Sequence, residues 1–578
     1  MKKASLQTMR HSCEHVLTQA MTRLYPGLLA AMGPATDEGF YFDFDRKDKI
    51  SKADFPEIKK EMKKIIEENL PFKKQKLSIK EARKLFKKNP YKQEWLDDIA
   101  LRQAQGKKEE VTAYWTGKDF VDLCNGPHLK STGKIGPFKL LSIAGAYWRG
   151  DEKNPMLTRI YGTCFPTEKE LNQYLKLREK AKKRDHRKLG KSLDLFHFSP
   201  IAPGMPFWHP KGVIIWNELL KFWREAQKKY NYQEVRAPEL LSIDVFKQSG
   251  HWDHYQDYMF FTEWDKNEKY ALKPMDCPGE IEIYKYGMKS YRHLPLRFAE
   301  VGLVHRKEKK GELNGLFRVA HITQDDAHIF ATEDQIQKEV TQVIKLTKEI
   351  YKPFKFKYNI FLSTRPDKFI GDVKSWNKAE KALKKALKAN KISFEIKKGE
   401  GAFYGPKIDY DLKDALGRTW QCGTIQLDFF MPERFNLKYI DKNGEEKRPL
   451  MIHRTIMGAL ERFIGILIEH YAGEFPVWLA PVQVIIIPIA TRHARHAQKI
   501  YSTMLLDNIR VKIDSRTETV EAKIRNAELQ KTPYMLVIGD REIKRKTISV
   551  RQRGQKKLNQ MKLEDFLAKI KLEVKNKK

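Results

Sequence analysis

Residues 305 to 330 read HRKEKKGELNGLFRVAHITQDDAHIF and set Arg306, Glu308, Arg318 and His328 close together in the chain. The stretch begins where a strand-like run, PLRFAEVGLVH (295 to 305), ends. Similar runs follow at KFKYNIFLS (355 to 363) and TWQCGTIQLDF (419 to 429). Short runs of this kind with intervening helical stretches predict an antiparallel sheet flanked by helices, hence an α+β class. No Walker-type loop and no G-x-G-x-x-G turn lies in a strand-to-helix setting, so a nucleotide here would have to be held by arginines. Arg306, Arg318 and Arg462 are the candidates, because a planar guanidinium fork suits a bent triphosphate better than the point charge of lysine. Arg462 sits in MIHRTIMGALERFIGILIEHY (451 to 471) among Leu460, Phe463, Ile464 and Leu467. Its partly apolar setting would strengthen its pull on phosphate. The helix carrying it is expected from about His453 to Ala472.

The same segments hold three soft ligands: Cys277 in KPMDCPGE (273 to 280), His328 and His453. A thiolate and two imidazoles suit zinc, and three protein ligands leave a fourth position open, the pattern of a catalytic site. The spacing matches no zinc-finger rule, so ordinary buried cysteine and histidine stand as the alternative.

A chain of 578 residues predicts three to five domains. Lys and Arg number 110 against 74 acidic residues, a net charge of +36, which fits a polyanionic partner such as RNA or a lysine-rich protein with no special partner. Five cysteines, an odd and sparse set, point to a reducing cytoplasmic compartment. The start, MKKASLQTMRHSCEH, lacks the apolar core of a signal peptide. The longest apolar run, VWLAPVQVIIIPIA (477 to 490), is short and broken by prolines, so no membrane span is expected.

A second constellation lies in the first segment. In SCEHVLTQAMTRLY, Val16, Leu17, Ala20, Met21 and Leu24 recur at helical spacing, which puts His11 and His15 on one helix face. Asp122, Cys124 and His128 follow in FVDLCNGPHLK, with Gly126 and Pro127 placing Cys124 and His128 on a loop. By chemistry alone H-x-x-x-H with C-x-x-x-H reads as four zinc ligands, or as surface histidines. Further on, LREKAKKRDHRKLGKSLDLF (177 to 196) is a charged helical stretch closed by glycine. GMPFWHPKG (204 to 212), the amphipathic VIIWNELLKFWREAQKKY and NYQEVRAPEL then give a helix, a strand and Pro238. At the end PVQVIIIPIA, a helix from about 492 to 507, IRVKIDS, a helix from 518 to 531, YMLVIGD and TISVRQR read as a small α/β domain.

These segments, with ALKPMDCPG, LPLRFAEVG, TQDDAHIF, LSTRPDKFIG, GEGAFYGPKID, WQCGTIQLDF and FPVWLAPVQV, resemble the threonyl-tRNA synthetase family of class II aminoacyl-tRNA synthetases from about residue 9 to the end. The resemblance implies ATP-dependent charging of tRNA(Thr) with L-threonine, and hydrolytic editing of seryl-tRNA(Thr). It implies an editing domain (1 to 175), a helical linker (176 to 199), a class II catalytic domain (200 to 475) and an anticodon-binding domain (476 to 578). Zinc would lie on Cys277, His328 and His453, and magnesium would accompany ATP. Arg306, Arg318 and Arg462 would act on phosphate, with Glu308, Gln324, Asp326, Tyr404, Gln421, Thr424 and Gln426 holding the substrates. His11, His15, Asp122, Cys124 and His128 match the editing residues, which position water without a metal, and Tyr91 and Lys92 would join them. Glu542 and Arg551 would contact the anticodon, and motif 1 would make a homodimer. The chain departs from the family's wording at Ala320, His321, Ala459, Thr517 and Lys531. It also starts almost at the editing domain, which implies a form without the N-terminal β-grasp (TGS) module.

Overall fold

Along the strand His321–Ala331, Ala327, Ile329 and Ala331 pack into the main apolar core while Phe330 joins a second cluster with Cys277 and Met451, the two-faced alternation of a pleated strand. This strand is the third in an eight-stranded sheet. The order is Gln233–Glu234, Leu296–His305, His321–Ala331, Leu450–Thr455, Thr419–Asp428, Lys407–Lys413, Lys357–Ser363 and Glu395–Lys397. Interior pairs are antiparallel and the two outermost pairs are parallel. The computed structural model describes residues 3–106, 109–265, 268–414 and 417–578. It forms two compact units, Met1–Glu179 and Lys180–Lys578.

In the second unit, helices Ile336–Tyr351, Val373–Ala389 and Leu460–Tyr471 bury Val343, Leu383 and Phe463 against one face of the sheet. The opposite face of the strands that carry His328 and His453 is covered in part by the helix Cys277–Lys285, whose Ile281 and Tyr284 pack with Phe330 and Met451. His453 lies on the strand Leu450–Thr455 and not at the start of a helix, a correction to the sequence expectation. The helix begins only at Leu460. The reason is the intervening turn. Buried Asp325 accepts from the backbone N–H groups of Ile456 (3.1 Å), Met457 (3.0 Å) and Gly458 (2.8 Å), which breaks the helix ladder before it can reach His453. Buried Arg454 donates to the Asp325 carbonyl at 3.2 Å and to Gln227 Oε1 at 2.6 Å, tying the turn to the helix Pro210–Lys229.

The charged stretch around 180 is two helices, Glu168–Arg184 and His186–Ser192. Gly190 lies inside the second and does not close it: a Cβ there would come within 2.4 Å of the Phe196 ring, so the glycine admits the aromatic. The last part of the chain carries a five-stranded sheet in the order Val511–Ile513, Val484–Pro488, Tyr534–Ile538, Ile548–Gln552 and Asn559–Met561. Helices Ala494–Leu506 and Val520–Leu529 stand where the sequence places them. Asp540–Arg545, Asn559–Met561 and Leu563–Lys575 are additional.

In the first unit, Lys3–Leu24 packs Cys13, Val16, Leu17, Ala20 and Met21 into a core with Phe40, Phe42 and Ile160. A four-stranded and a three-stranded antiparallel sheet complete it.

Removing the carboxylate in Asp325→Ala strands three buried amides and should cost about 3 kcal/mol or more. Guanidinium unfolding of the full chain followed by circular dichroism should show an earlier transition; an unmoved midpoint would mean that apolar packing alone holds the turn.

Candidate active site

Three neighbouring strands and one helix build the principal site. His328 pairs across the sheet with His453, and His453 with Gln426, so these three side chains rise from adjacent strands at one level. Cys277 comes from the first turn of the helix Cys277–Lys285. The ligand atoms of Cys277, His328 and His453 lie within 4.8 Å of one another, and all three residues are buried. Each imidazole also meets a carboxylate. Glu280 Oε1 is 3.0 Å from His328 Nδ1, and Asp428 Oδ2 is 3.0 Å from His453 Nε2. The hydrogen bond to Asp428 leaves Nδ1 of His453 free to act as a ligand, part of the usual carboxylate–histidine–metal arrangement, whereas Glu280 lies beside His328 without a hydrogen bond to it.

The surrounding charge favours a cation. Asp276, Glu280, Glu300 and Asp326 are buried close by, and Asp276, Glu280 and Glu300 keep carboxyl oxygens outside any hydrogen bond. Lys273 Nζ meets only part of this charge, at 2.9 Å from Asp276 and 3.0 Å from Glu300. Burial pushes the Asp276 carboxyl up to about 7 against the pull of Lys273. Burial, with Asp326 next, likewise holds the Cys277 thiol well above its ordinary value. A divalent ion would reverse that preference, because a coordinating thiol is deprotonated outright. The residues therefore fit a zinc ion.

Cys277, His328, His453 and Asp326 line a cavity of about 480 Å³. Of the residues singled out in the sequence, Arg306, Gln324, Asp326, Tyr404, Gln421, Thr424, Gln426 and Arg462 line it together with the three soft ligands. Tyr404 donates from its hydroxyl to Gln426 Oε1. Gln421 Nε2 donates to Asp409 at 2.7 Å. Arg462 donates from Nε to the Phe317 carbonyl at 2.9 Å and from Nη1 to the Gln421 carbonyl at 3.1 Å. Arg306 Nε donates to the Pro274 carbonyl at 3.2 Å. Arg318 and Glu308 stand outside the cavity lining and pair with one another at 2.7 Å, with Glu312 also on Arg318 at 2.9 Å. The sequence reading missed Tyr255, Lys407 and Arg454, which line the cavity, and buried His251, whose Nε2 is 3.9 Å from Cys277 Sγ. Only GHW (250 to 252) could have pointed to His251, and nothing in its spacing does. Ala320, a departure from the family's wording, acts through its backbone: its carbonyl accepts from Arg306 N at 2.9 Å.

The first unit carries a second cavity of about 460 Å³. His11, His15, Cys124 and His128 bring ligand atoms within 4.8 Å of one another there. Cys124 Sγ is 3.2 Å from His11 Nε2 and 3.2 Å from His128 Nε2. His11 Nδ1 faces the Pro127 carbonyl at 3.2 Å and His128 Nδ1 the Ser12 hydroxyl at 3.3 Å. Burial, then His11, pushes His128 down to about 2, burial holds His15 well below its ordinary value, and burial pushes the Cys124 thiol up to about 12. The cluster is thus neutral around pH 7. Lys92 and Asp122 form a buried pair at 2.6 Å in the same cavity. Tyr91 is elsewhere: its hydroxyl donates to Asp45 at 2.6 Å and its ring packs on Trp148.

In the C-terminal sheet, Glu542 is turned inward, accepting from Gly539 N at 2.9 Å and the Ser549 hydroxyl at 2.7 Å. Arg551 pairs with Glu528. Both are committed to contacts within the fold.

The family model for the tRNA synthetase class II core domain (G, H, P, S and T) matches residues 260–471. That for the anticodon binding domain matches 483–573, and that for the threonyl and alanyl tRNA synthetase second additional domain matches 111–161. The threonine–tRNA ligase of Caldanaerobacter subterraneus subsp. tengcongensis is 52% identical over 569 residues, covering 98% of this chain and 87% of that protein. That of Clostridium tetani is 51% identical over 573 residues, covering 99% and 88%. Among solved structures, the RNA binding domain of threonyl-tRNA synthetase from Cryptosporidium parvum Iowa II is similar with a TM-score of 0.65 and 40% identity, over 67% of this chain and 98% of that one. With half its residues identical to these relatives over nearly its whole length, and with the cavity built by the matched core, the chain belongs to the threonine–tRNA ligase family.

Proposed function

We propose that this chain activates L-threonine with ATP, transfers it to the 3′ end of tRNA(Thr), and clears seryl-tRNA(Thr) in its first unit. The observation that carries the reading is one cavity lined by a soft-ligand triad and by Arg306 and Arg462, in a chain of this family. The division of labour is editing at 1 to 175, a linker at 176 to 199, catalysis at 200 to 475 and anticodon binding at 476 to 578. The protein works in the cytoplasm as a homodimer, paired through the helix Pro210–Lys229 and the edge strand after it. No helix among the described residues is long and apolar enough to cross a membrane.

Cys277, His328 and His453 would hold zinc, and Glu280 and Asp428 would fix the two imidazoles. When bound, zinc supplies an open Lewis-acid position that threonine's amino and hydroxyl groups can share. Valine has no such hydroxyl, whereas an apolar pocket alone would separate the two isosteres by only about 100-fold. Asp326 lies near the amino group, and Tyr404 and Gln426 close the pocket. Arg306 holds the α-phosphate while the threonine carboxylate attacks phosphorus and pyrophosphate leaves. Arg318 and Arg462 hold the departing phosphates, with magnesium sharing their charge. Glu308, Gln421 and Thr424 orient the nucleotide, and Gln324 borders the pocket. Because Arg318 rests on Glu308 and Glu312, the triphosphate must displace these carboxylates to recruit it. In-line displacement asks the protein mainly for position and charge. A ribose hydroxyl of the tRNA then attacks the adenylate and AMP leaves.

Serine carries the same hydroxyl and lacks one methyl group, worth roughly 1 to 3 kcal/mol, so a separate hydrolytic site is required. The neutral imidazoles His11, His15 and His128, with Cys124 and the Lys92–Asp122 pair, can hold water and the ribose end by hydrogen bonds. Glu542 and Arg551 remain candidates for anticodon contact only after release from Ser549 and Glu528.

Pyrophosphate exchange into ATP should proceed with threonine, more weakly with serine and not with valine, and should stop on zinc chelation. Absence of exchange with every amino acid, in folded and zinc-loaded protein, would remove the reading. Metal analysis of the purified chain should find one zinc, lost in Cys277→Ala and kept in Cys124→Ala; the reverse pattern would move the metal to the first unit. The double variant His11→Ala, His15→Ala should still form threonyl-tRNA while seryl-tRNA accumulates, and undiminished clearance of seryl-tRNA would place editing elsewhere.

A further inference from the structure

His186 begins the short helix His186–Ser192, and the proposed chemistry leaves it without a role, yet it is only 1% exposed and both its ring nitrogens are engaged. Nε2 accepts the N–H of Leu316 at 3.0 Å. A ring that accepts at Nε2 carries its proton on Nδ1, and Nδ1 accordingly donates to Glu469 Oε1 at 2.8 Å. The backbone N–H of His186 donates to the same oxygen at 3.1 Å. One imidazole therefore joins two elements far apart in the chain.

Those elements carry the two phosphate arginines. Glu469 lies about two turns along the helix Leu460–Tyr471 from Arg462. Leu316 lies two positions before Arg318 in the turn Gly315–Phe317. Phe317 closes the loop between them: its carbonyl accepts from Arg462 Nε at 2.9 Å, and its ring lies 4.2 Å from that of His186. The turn is moulded to the imidazole, since a Cβ on Gly315, whose φ is +51°, would come within 2.2 Å of His186 Nε2. The far side is fixed as well. Arg418 pairs with the second Glu469 oxygen and with Asp414, and lies over the rings of Phe317 and Trp420.

We infer that His186 is a positioning residue for ATP: its neutral ring, donating to one element and accepting from the other, sets the spacing between Arg318 and Arg462. The inference rests on the reading of those two arginines as phosphate ligands. His186 touches no substrate. Losing its acceptor leaves a buried N–H on Leu316 unpaired and frees the turn that orients Arg318 and takes up Arg462 Nε.

Pyrophosphate exchange by the full chain tests this through paired variants. H186F keeps a ring against Phe317 but cannot accept from Leu316; H186Q keeps an acceptor at the reach of Nε2. In H186F, kcat/KM for ATP should fall by about 10²-fold, the scale of an ångström of misplacement. KM for threonine and zinc content should stay near wild type, the melting temperature should fall modestly because Leu316 N–H and Glu469 each lose a buried partner, and H186Q should recover most of the loss in kcat/KM. If H186F does not fold, H186N carries the test, since its short amide keeps the donor toward Glu469 but falls short of Leu316. Wild-type constants for ATP, or an equal loss toward ATP and threonine with a lowered melting temperature, would reduce His186 to a packing residue. R462A measured alongside separates the two layers: loss of ATP kinetics in R462A with wild-type H186F overturns this inference alone, and unchanged kinetics in both overturn the arginine reading beneath it.

Discussion

The register of three antiparallel strands is the constraint on which the principal site depends. His328 stands opposite His453 and His453 opposite Gln426, while one step along Ile329, Ile452 and Leu427 stand opposite one another. The second set is buried in the main core, so the first set must face the cavity. Side chains alternate with period two, and a slip of one residue would drive the imidazoles into the core and expose the aliphatics. Burial of Ile329, Ile452 and Leu427 is thus what holds two ligands side by side. No local motif could do so, because the residues are far apart in the chain. Asp325 then stops the strand Leu450–Thr455 and turns the chain into the helix that carries Arg462.

The cavity so formed carries charge of both signs. Asp326, Asp276, Asp428 and Glu280 act on the Cys277 thiol, and Arg306, Lys407, Arg454 and Arg462 belong to the same lining. In a medium of low effective dielectric such charge acts strongly on whatever enters. Under the proposed function an ammonium group meets the acids and a triphosphate the arginines, which brings carboxylate and α-phosphorus together between them. The ion pairs with Glu308 and Glu312 offset the charge of a third arginine, Arg318, which stands outside the lining, and under the proposed function phosphate competes for it.

Much of this was legible in the sequence, and the failures are informative. Cys277, His328, His453 and the arginines stood out because soft ligands and guanidinium groups announce their chemistry by type alone. The strand runs were legible through their apolar patterning. His453 was read into a helix because the apolar spacing of Leu460, Phe463, Ile464 and Leu467 extends backward through Ile456, and the stop comes from Asp325, far away in the sequence. His251, Arg454 and His186 went unread because their significance lies wholly in tertiary partners. Glu542 is expected on resemblance to contact a base, and its position three residues after Gly539 also marks a helix N-terminus, where its carboxylate accepts the Gly539 N–H. The last helix, Leu563–Lys575, shows Phe566, Leu567 and Ile570 at helical spacing and was readable on its own terms.

The two Cys/His clusters show why donor type alone does not decide where a metal belongs. Both bring a thiol and imidazoles within the same reach. Around Cys277 each imidazole has a carboxylate partner, and the buried acids outnumber the buried cations Lys273 and Arg454. Around Cys124 the nitrogens of His11 and His128 meet the thiol, the Pro127 carbonyl and the Ser12 hydroxyl, and the nearest carboxylate, Glu14, stays 3.7 Å from His11. The nearby carboxyl, Glu14, is held well above its ordinary value by burial, as Glu280 and Asp326 are at the first site, and Lys92 stands in the same cavity. A dication entering the first site meets four buried acids, Asp276, Glu280, Glu300 and Asp326, beside Lys273 and Arg454. Entering the second it must displace the contacts between the thiol and the imidazoles and face Lys92, which is paired with Asp122. Under the proposed function this difference in second partners separates a site that grips a metal from one that holds water, although both spell their ligands with the same residues.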